Sequence, residues 1–153
     1  MSQKPMKRHK ALQPLSREHH HGLLLSWKIR AGFSKNVEPK RMKTYADWFF
    51  KSHLIPHFEM EEEHIFTILD ADNELVKRAL ADHRRLKRLF AEAEDLPNAL
   101  SNIEEVLDAH IRYEERILFP EIQKTATEAQ LEQIEKIHHE EGFVDNLDDE
   151  FWK

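Results

Sequence analysis

Apolar residues recur at helical spacing along most of the chain. Between Leu75 and Ala93 they stand three and four residues apart, which places them on one face of a helix. Similar stripes follow Ser16, Pro39 and Leu96. Four long amphipathic stretches with short connections predict an all-α protein, an antiparallel, up-down four-helix bundle.

The pattern divides the chain into three parts. We expect a basic, irregular N-terminal arm over residues 1–14 and a helical bundle over residues 15–142. Residues 143–153 form an acidic tail with three aromatic side chains. This tail is expected to pack on the bundle or to meet a protein partner, which includes a second copy of the chain.

Capping residues and prolines set the expected helix ends. Ser16 is the expected N-cap of the first helix, and Pro56 should bend or split the second. The fourth helix should stop near Pro120, because the residue before a proline disfavours helical geometry. A capping box at Thr127 predicts a fifth helix that runs to Gly142.

Composition narrows the chemistry. The 153 residues include no cysteine, which excludes disulfides, thiolate metal sites and cysteine nucleophiles. A net charge of -6 argues against nucleic-acid binding, and no apolar run is long enough to span a membrane. Without a secretory signal, a cytoplasmic protein is expected. The 11 histidines stand out and cluster in motifs.

One of these motifs occurs twice. His57-x-x-x-Glu61 is followed 53 residues later by His110-x-x-x-Glu114. In each copy a second glutamate comes next, and a phenylalanine stands nine residues after the histidine. A spacing of four residues puts the histidine and the glutamate on the same face of a helix.

The first and third helices carry a weaker match, Glu18-His19 and Asp82-His83. His83 lies within an apolar stripe, so it should point into the core. A buried carboxylate without a partner costs several kcal/mol (~3–5). Imidazoles and carboxylates that converge in a core therefore predict a metal site with nitrogen and oxygen ligands.

These residues resemble the hemerythrin-like, or HHE cation-binding, domain family. The segments that carry the resemblance are LSREH (15–19), HFEMEE (57–62), DHRRL (82–86) and HIRYEERILFP (110–120). The resemblance implies two iron ions, oxo- or hydroxo-bridged, rather than zinc or manganese, with both glutamates bridging. The implied ligands are His19, His57, Glu61, His83, His110 and Glu114.

The chain departs from the oxygen-carrying hemerythrins at two positions. Lys87 stands where they have a second histidine on the third helix, and Glu115 stands where they have an aspartate. His20 is the alternative to His19 as the ligand from the first helix. Alternative or outer positions around the centre are also open to His64 and Tyr113, as well as to Glu115.

A second assignment is a ferritin-like di-iron oxidase or iron-handling protein. It would use Glu18, Glu61-x-x-His64, Glu114 and Glu135-x-x-His138. The hemerythrin-like assignment instead places His138 and His139 on a solvated face. It implies a protein that binds or senses O2, NO or peroxide. No catalytic residues are assigned, since no acid–base pair or substrate motif accompanies the ligands.

Overall fold

The computed structural model describes residues 7–138 and 142–153, which form a helical bundle without β-strands in these ranges. The α-helices are α1 (Gln13–Ser34), α2 (Pro39–Phe49), α3 (Ile55–Met60), α4 (Glu74–Ala91), α5 (Leu96–Tyr113), α6 (Phe119–Thr125) and α7 (Glu128–Ile137). The π-helical turns are Phe50–Leu54, Glu61–Ile65 and Glu114–Leu118, and Phe66–Ile68 is a 3₁₀ turn. None of the described helices combines the length and apolarity needed to cross a bilayer.

The helix starts at α4 and α7 follow from their capping residues. The Asn73 side chain accepts a hydrogen bond from the backbone N–H of Leu75 at 2.9 Å. Thr127 and Gln130 form the predicted capping box at the start of α7. That helix ends at Ile137, before the predicted stop, and residues 139–141 lie outside the described part of the chain.

The first helix begins earlier than predicted. It starts at Gln13, and Ser16 does not cap it. Pro14 occupies its first turn, where a missing backbone N–H costs nothing. Leu12 and Leu15 are completely buried, so the part of the expected arm nearest the bundle belongs to the core. Burial of these side chains outweighs the preference of a serine for the N-cap position.

The fourth predicted helix, which begins as α5, does not stop near Pro120, so that prediction is wrong. The chain continues through Leu118 with helical dihedral angles and runs on as α6. Proline has no N–H and clashes with the carbonyl four residues earlier. A π-helical turn just before Pro120 changes the hydrogen-bond register, and Pro120 then lies in the first turn of α6. Pro56 follows a π-helical turn in the same way.

Two hydrophobic clusters form the core, and a polar layer separates them. On α1, Leu15 belongs to one cluster and Leu25 to the other, with the buried His19 between them. On α4, Ala79 and Leu86 belong to different clusters and again flank a buried histidine. Each helix therefore contributes polar atoms at one level of an otherwise apolar core.

The C-terminal tail packs against the bundle through a buried lysine. Lys28 Nζ donates hydrogen bonds to Tyr45 Oη at 2.7 Å and to Asp145 Oδ2 at 2.6 Å. The Tyr45 hydroxyl donates to the other oxygen of Asp145 at 2.5 Å. Lys28 Nζ also lies 3.9 Å from the ring centroid of Trp152, and Phe151 is 2% exposed. The tail is thus held by both an ion pair and aromatic packing.

Candidate metal centre

Six buried side chains from four helical stretches meet in the polar layer. They are His19, His57, Glu61, His83, His110 and Glu114. Neither glutamate has exposed surface, and no histidine of this set is more than 6% exposed. The structure therefore brings together all six side chains predicted as ligands, and it buries His19 while it exposes His20.

The six side chains form two overlapping groups, each compact enough to hold a metal ion. One group consists of His19, His57, Glu61 and Glu114, and the other of Glu61, His83, His110 and Glu114. Within each group the ligand atoms all lie within 4.8 Å of one another. Both groups contain both glutamates. A carboxylate has two oxygens, so each glutamate can serve both groups at once.

The oxygen positions show this division. Oε2 of Glu61 is 3.3 Å from Nε2 of His57, and Oε1 of the same residue is 3.3 Å from Nε2 of His83. Oε2 of Glu114 is 3.3 Å from Nε2 of His19, and its Oε1 is 3.5 Å from Nε2 of His83. Each carboxylate thus turns one oxygen towards each group.

The backbone repeats along with the side chains. Glu61 and Glu114 each begin a π-helical turn, and the two turns occupy matching positions of the 53-residue repeat. π-Helical turns are rare and are found frequently at functional sites. The sequence repeat indicated equivalent ligands but gave no sign of this backbone feature.

An acidic side chain lies at the outer nitrogen of every imidazole in the centre. The pairs are His57 Nδ1 with Glu18 Oε1 (2.8 Å), His83 Nδ1 with Glu62 Oε2 (2.8 Å), His110 Nδ1 with Asp82 Oδ2 (3.0 Å) and His19 Nδ1 with Glu115 Oε2 (3.6 Å). The first three are hydrogen bonds. The fourth is longer than one, and the Ser16 hydroxyl donates to the same carboxylate at 2.9 Å. We call these four acids the outer carboxylates.

The outer carboxylates link the helices in a closed circuit. Glu18 directly precedes His19 in the sequence, yet it contacts His57 on another helix. In the same way, Glu62 in the turn after α3 contacts His83 of α4, and Asp82 of α4 contacts His110 of α5. The carboxylate in the turn after α5 faces the imidazole of α1. A carboxylate on the outer nitrogen fixes the orientation of an imidazole and makes it a stronger metal ligand.

The inner atoms of the centre fit a pair of cations. Within residues 7–138 and 142–153, hydrogen-bond partners are lacking for both carboxylate oxygens of Glu61 and Glu114 and for Nε2 of all four histidines. Buried polar atoms are normally satisfied, because an unsatisfied one costs about 1–3 kcal/mol. These eight atoms point at one another, and their donor types suit iron, manganese or zinc.

The buried histidines and glutamates shift one another's pKa values. Burial lowers the pKa of His57, but Glu61 and Glu18 more than offset this and raise it to about 9. Burial also opposes ionisation of Glu114, yet the histidines around it, led by His110, hold its pKa well below the ordinary value. Both directions favour the charged forms, imidazolium and carboxylate, so a metal ion that binds these nitrogens would displace protons.

The alternative positions named from the sequence lie elsewhere. His20 is exposed, and the His64 side chain is 42% exposed. Tyr113 is buried, but its hydroxyl donates to the carbonyl oxygen of Leu75 at 2.7 Å and so is engaged away from the glutamates. Glu115 is an outer carboxylate and not a member of the two groups.

The ferritin-like ligand set is not brought together. Glu135 lies at the surface 3.8 Å from Lys10, and His64 is exposed. His138 was expected on a solvated face, which is wrong, because its side chain is 15% exposed and its Nε2 lies 3.2 Å from Oε2 of Glu18. His139 lies outside the described residues.

Three of the four outer carboxylates, Glu18, Glu62 and Asp82, were not predicted in this role from the sequence, whereas Glu115 was named as an alternative or outer position. Their signal was present, since an acidic residue precedes the histidine on α1 and on α4 and follows the glutamate in each copy of the repeat.

Comparison with models of known protein families, with curated proteins and with solved structures finds no match to this chain.

Proposed function

We propose that this chain is a hemerythrin-like protein that holds two iron ions and binds or senses O2, NO or peroxide. The observation that carries the proposal is the sharing of Glu61 and Glu114 between two groups of buried ligands. A single structural zinc site needs four ligands, whereas this core supplies six residues arranged for two ions. The resemblance in the ligand motifs favours iron over zinc or manganese.

The order of the core residues supports an antiparallel four-helix arrangement around the ions. Along α1 and α4 the chain passes from the cluster of Leu15 to the cluster of Leu25, and along the stretches from α2 to α3 and from α5 to α6 it passes back. Alternating direction is the property of an up-down bundle.

Bound iron would supply open coordination positions for a small ligand, since two histidines and two carboxylate oxygens leave an ion unsaturated. The chain itself performs three tasks. It buries the ligand side chains, it orients the imidazoles through the outer carboxylates, and it would neutralise the positive charge of the ions with Glu61 and Glu114. No side chain in the centre is assigned as a catalytic acid or base.

A ferritin-like oxidase or iron-handling protein is the second candidate. The ligand geometry favours it less, because His64 and Glu135 lie at the surface. The proposed contact of the tail with a partner stays a prediction. Val144 and Leu147, which are 78% and 60% exposed, would be its apolar contacts.

Metal analysis tests the proposal directly. The protein is purified, supplied with ferrous iron without oxygen, and measured by elemental analysis and absorption before and after air. We expect two irons per chain and a new near-ultraviolet and visible spectrum after air. His57→Ala and His110→Ala should lose iron, whereas His64→Ala, at the exposed position, should keep it.

Two results would contradict the proposal. One is a chain that takes up no iron, or a single ion, after reconstitution. The other is iron loss in His64→Ala with normal iron in His57→Ala, which would favour the ferritin-like ligand set.

A further inference from the structure

A cavity of about 420 Å³ leads from the surface to the candidate metal centre. It lies between α1, the segment from the end of α2 to α3, α5 and the end of α7. Its inner wall includes His19, His57 and His110, so it reaches imidazoles from both ligand groups. Ser52 and Pro56 are exposed and mark its open side.

The size of the cavity exceeds what a diatomic ligand needs. O2, NO and peroxide each contain two heavy atoms, whereas about 420 Å³ falls in the range of about 300–1,000 Å³ typical of sites for small organic molecules. A route for a diatomic gas alone would need no chamber of this volume.

The wall of the cavity defines the chemistry of a suitable ligand. Phe49, Leu54, Ile111, Ile137 and Phe143 are among the apolar residues of its wall. Among the described residues that line it there is no lysine or arginine, and its basic groups are imidazoles. Glu18 is the acidic group of the wall, and it is already engaged by His57 and His138.

Hydrogen-bonding groups stand at the outer end. The Ser52 hydroxyl and the imidazole of His53 line the cavity near its mouth. A ligand with an apolar body and one polar end would place the body against the phenylalanines and leucines, and the polar end towards these groups or towards the ions.

We infer that this cavity binds a largely apolar organic molecule with a hydroxyl or comparable polar end, held against the candidate metal centre. The inference rests on the proposed function for what the ligand meets at the inner end. It extends that function from a diatomic ligand alone to an organic ligand beside the ions. The apolar wall and the volume belong to the chain itself and do not depend on the metal.

The experiment uses straight-chain alcohols from 1-butanol to 1-octanol as probes. Binding to the zinc-loaded protein and to the metal-free protein is measured by calorimetry. Each added methylene should raise the affinity about fourfold until the apolar wall is covered, because burial of one methylene contributes about 0.8 kcal/mol. Absence of binding, or affinity independent of chain length, would overturn the inference.

A variant that blocks the mouth of the cavity tests where the alcohol binds. Ser52→Trp places an indole at the open side, where the exposed position tolerates it, and should weaken 1-hexanol binding at least tenfold. Lys51→Trp is the matched control, since Lys51 is exposed, adjacent and not part of the wall. Equal affinity in the two variants would show that the alcohol binds elsewhere.

Paramagnetic relaxation tests the position of the ligand relative to the ions. In the manganese-loaded protein the proton signals of bound 1-hexanol should broaden strongly compared with the zinc-loaded protein, and equal line widths would overturn the placement. Metal uptake without alcohol binding contradicts this inference alone. Alcohol binding without any metal uptake contradicts the proposed function and the placement beside the ions.

Discussion

Two clusters of charged side chains are buried in this protein, and they solve the same electrostatic problem differently. Lys28, Tyr45 and Asp145 form a closed triangle in which each polar group meets another at 2.5–2.7 Å. In the candidate centre the oxygens of Glu61 and Glu114 face nitrogens and each other without hydrogen bonds among the described residues. Hydrogen bonds close the first cluster, whereas in the second the ligand atoms converge without them and could hold metal ions.

The difference separates a structural role from a binding role. A buried ion pair with good geometry roughly balances the cost of removing its charges from water. Carboxylates that are buried without hydrogen bonds do not recover this cost. Such carboxylates are retained where a ligand supplies the missing interactions. Burial and charge alone therefore do not mark a site, but unsatisfied ligand atoms that converge do.

The largest expected effect comes from breaking the sharing of a carboxylate. Glu114→Gln keeps the shape of the side chain but removes the charge that both ligand groups use. We expect both ions to be lost, whereas His57→Ala should first weaken the ion nearer to His19. Iron or zinc content per chain, measured after dialysis, gives the result.

The control for this variant is Glu105→Gln, an exposed position on the helix that precedes Glu114. It should retain both ions. Retention of one tightly bound ion in Glu114→Gln would show that the two groups are independent and that the glutamate does not bridge them.

A smaller effect is expected from the outer carboxylates. Glu62→Gln leaves all six inner residues in place but replaces the charged partner of His83 with an amide. We expect the same number of ions per chain with an affinity about 10–100-fold lower, as measured by competition with a chelator. Glu63→Gln is the matched control, because that neighbouring side chain is 70% exposed. Equal affinities in the two variants would leave the outer carboxylates without a role in binding.

Sequence reasoning predicted the inner ligands because they leave a periodic signal. The repeat of His57 and Glu61 as His110 and Glu114 is visible in the order of residues, and helical spacing places the members of each pair on one face. His19 could not be separated from His20 with equal certainty, since the two differ by one helical step. The bundle then buried one and exposed the other.

The parts that were missed depend on tertiary structure. The π-helical turn at Glu114 and the continuation through Pro120 follow from hydrogen-bond register, which composition does not encode. Lys28 and Asp145 are 117 positions apart, and neither belongs to a motif. Their pairing depends on how the tail folds back, and no local spacing rule addresses that.

The smallest expected effect is the acid response of the cluster of Lys28, Tyr45 and Asp145. Burial raises the pKa of Asp145, but hydrogen bonds from Lys28 and Tyr45 more than offset this and lower it below its ordinary value of 3.8. A carboxyl group with a lowered pKa stabilises the fold at pH values above 3.8. That contribution disappears as the pH falls through the folded-state pKa, because protonation removes the charge that Lys28 meets.

Comparison of the metal-free wild type with Asp145→Asn isolates this contribution. The wild type should be the more stable by urea unfolding at pH 6, and the gap should narrow as the pH falls below 3.8. Asp148→Asn, at an exposed position of the tail, should show no gap at any pH. A gap that widens in acid would mean that the charge of Asp145 opposes docking of the tail. The hydrogen bonds among Lys28, Tyr45 and Asp145 would then not stabilise the docked tail.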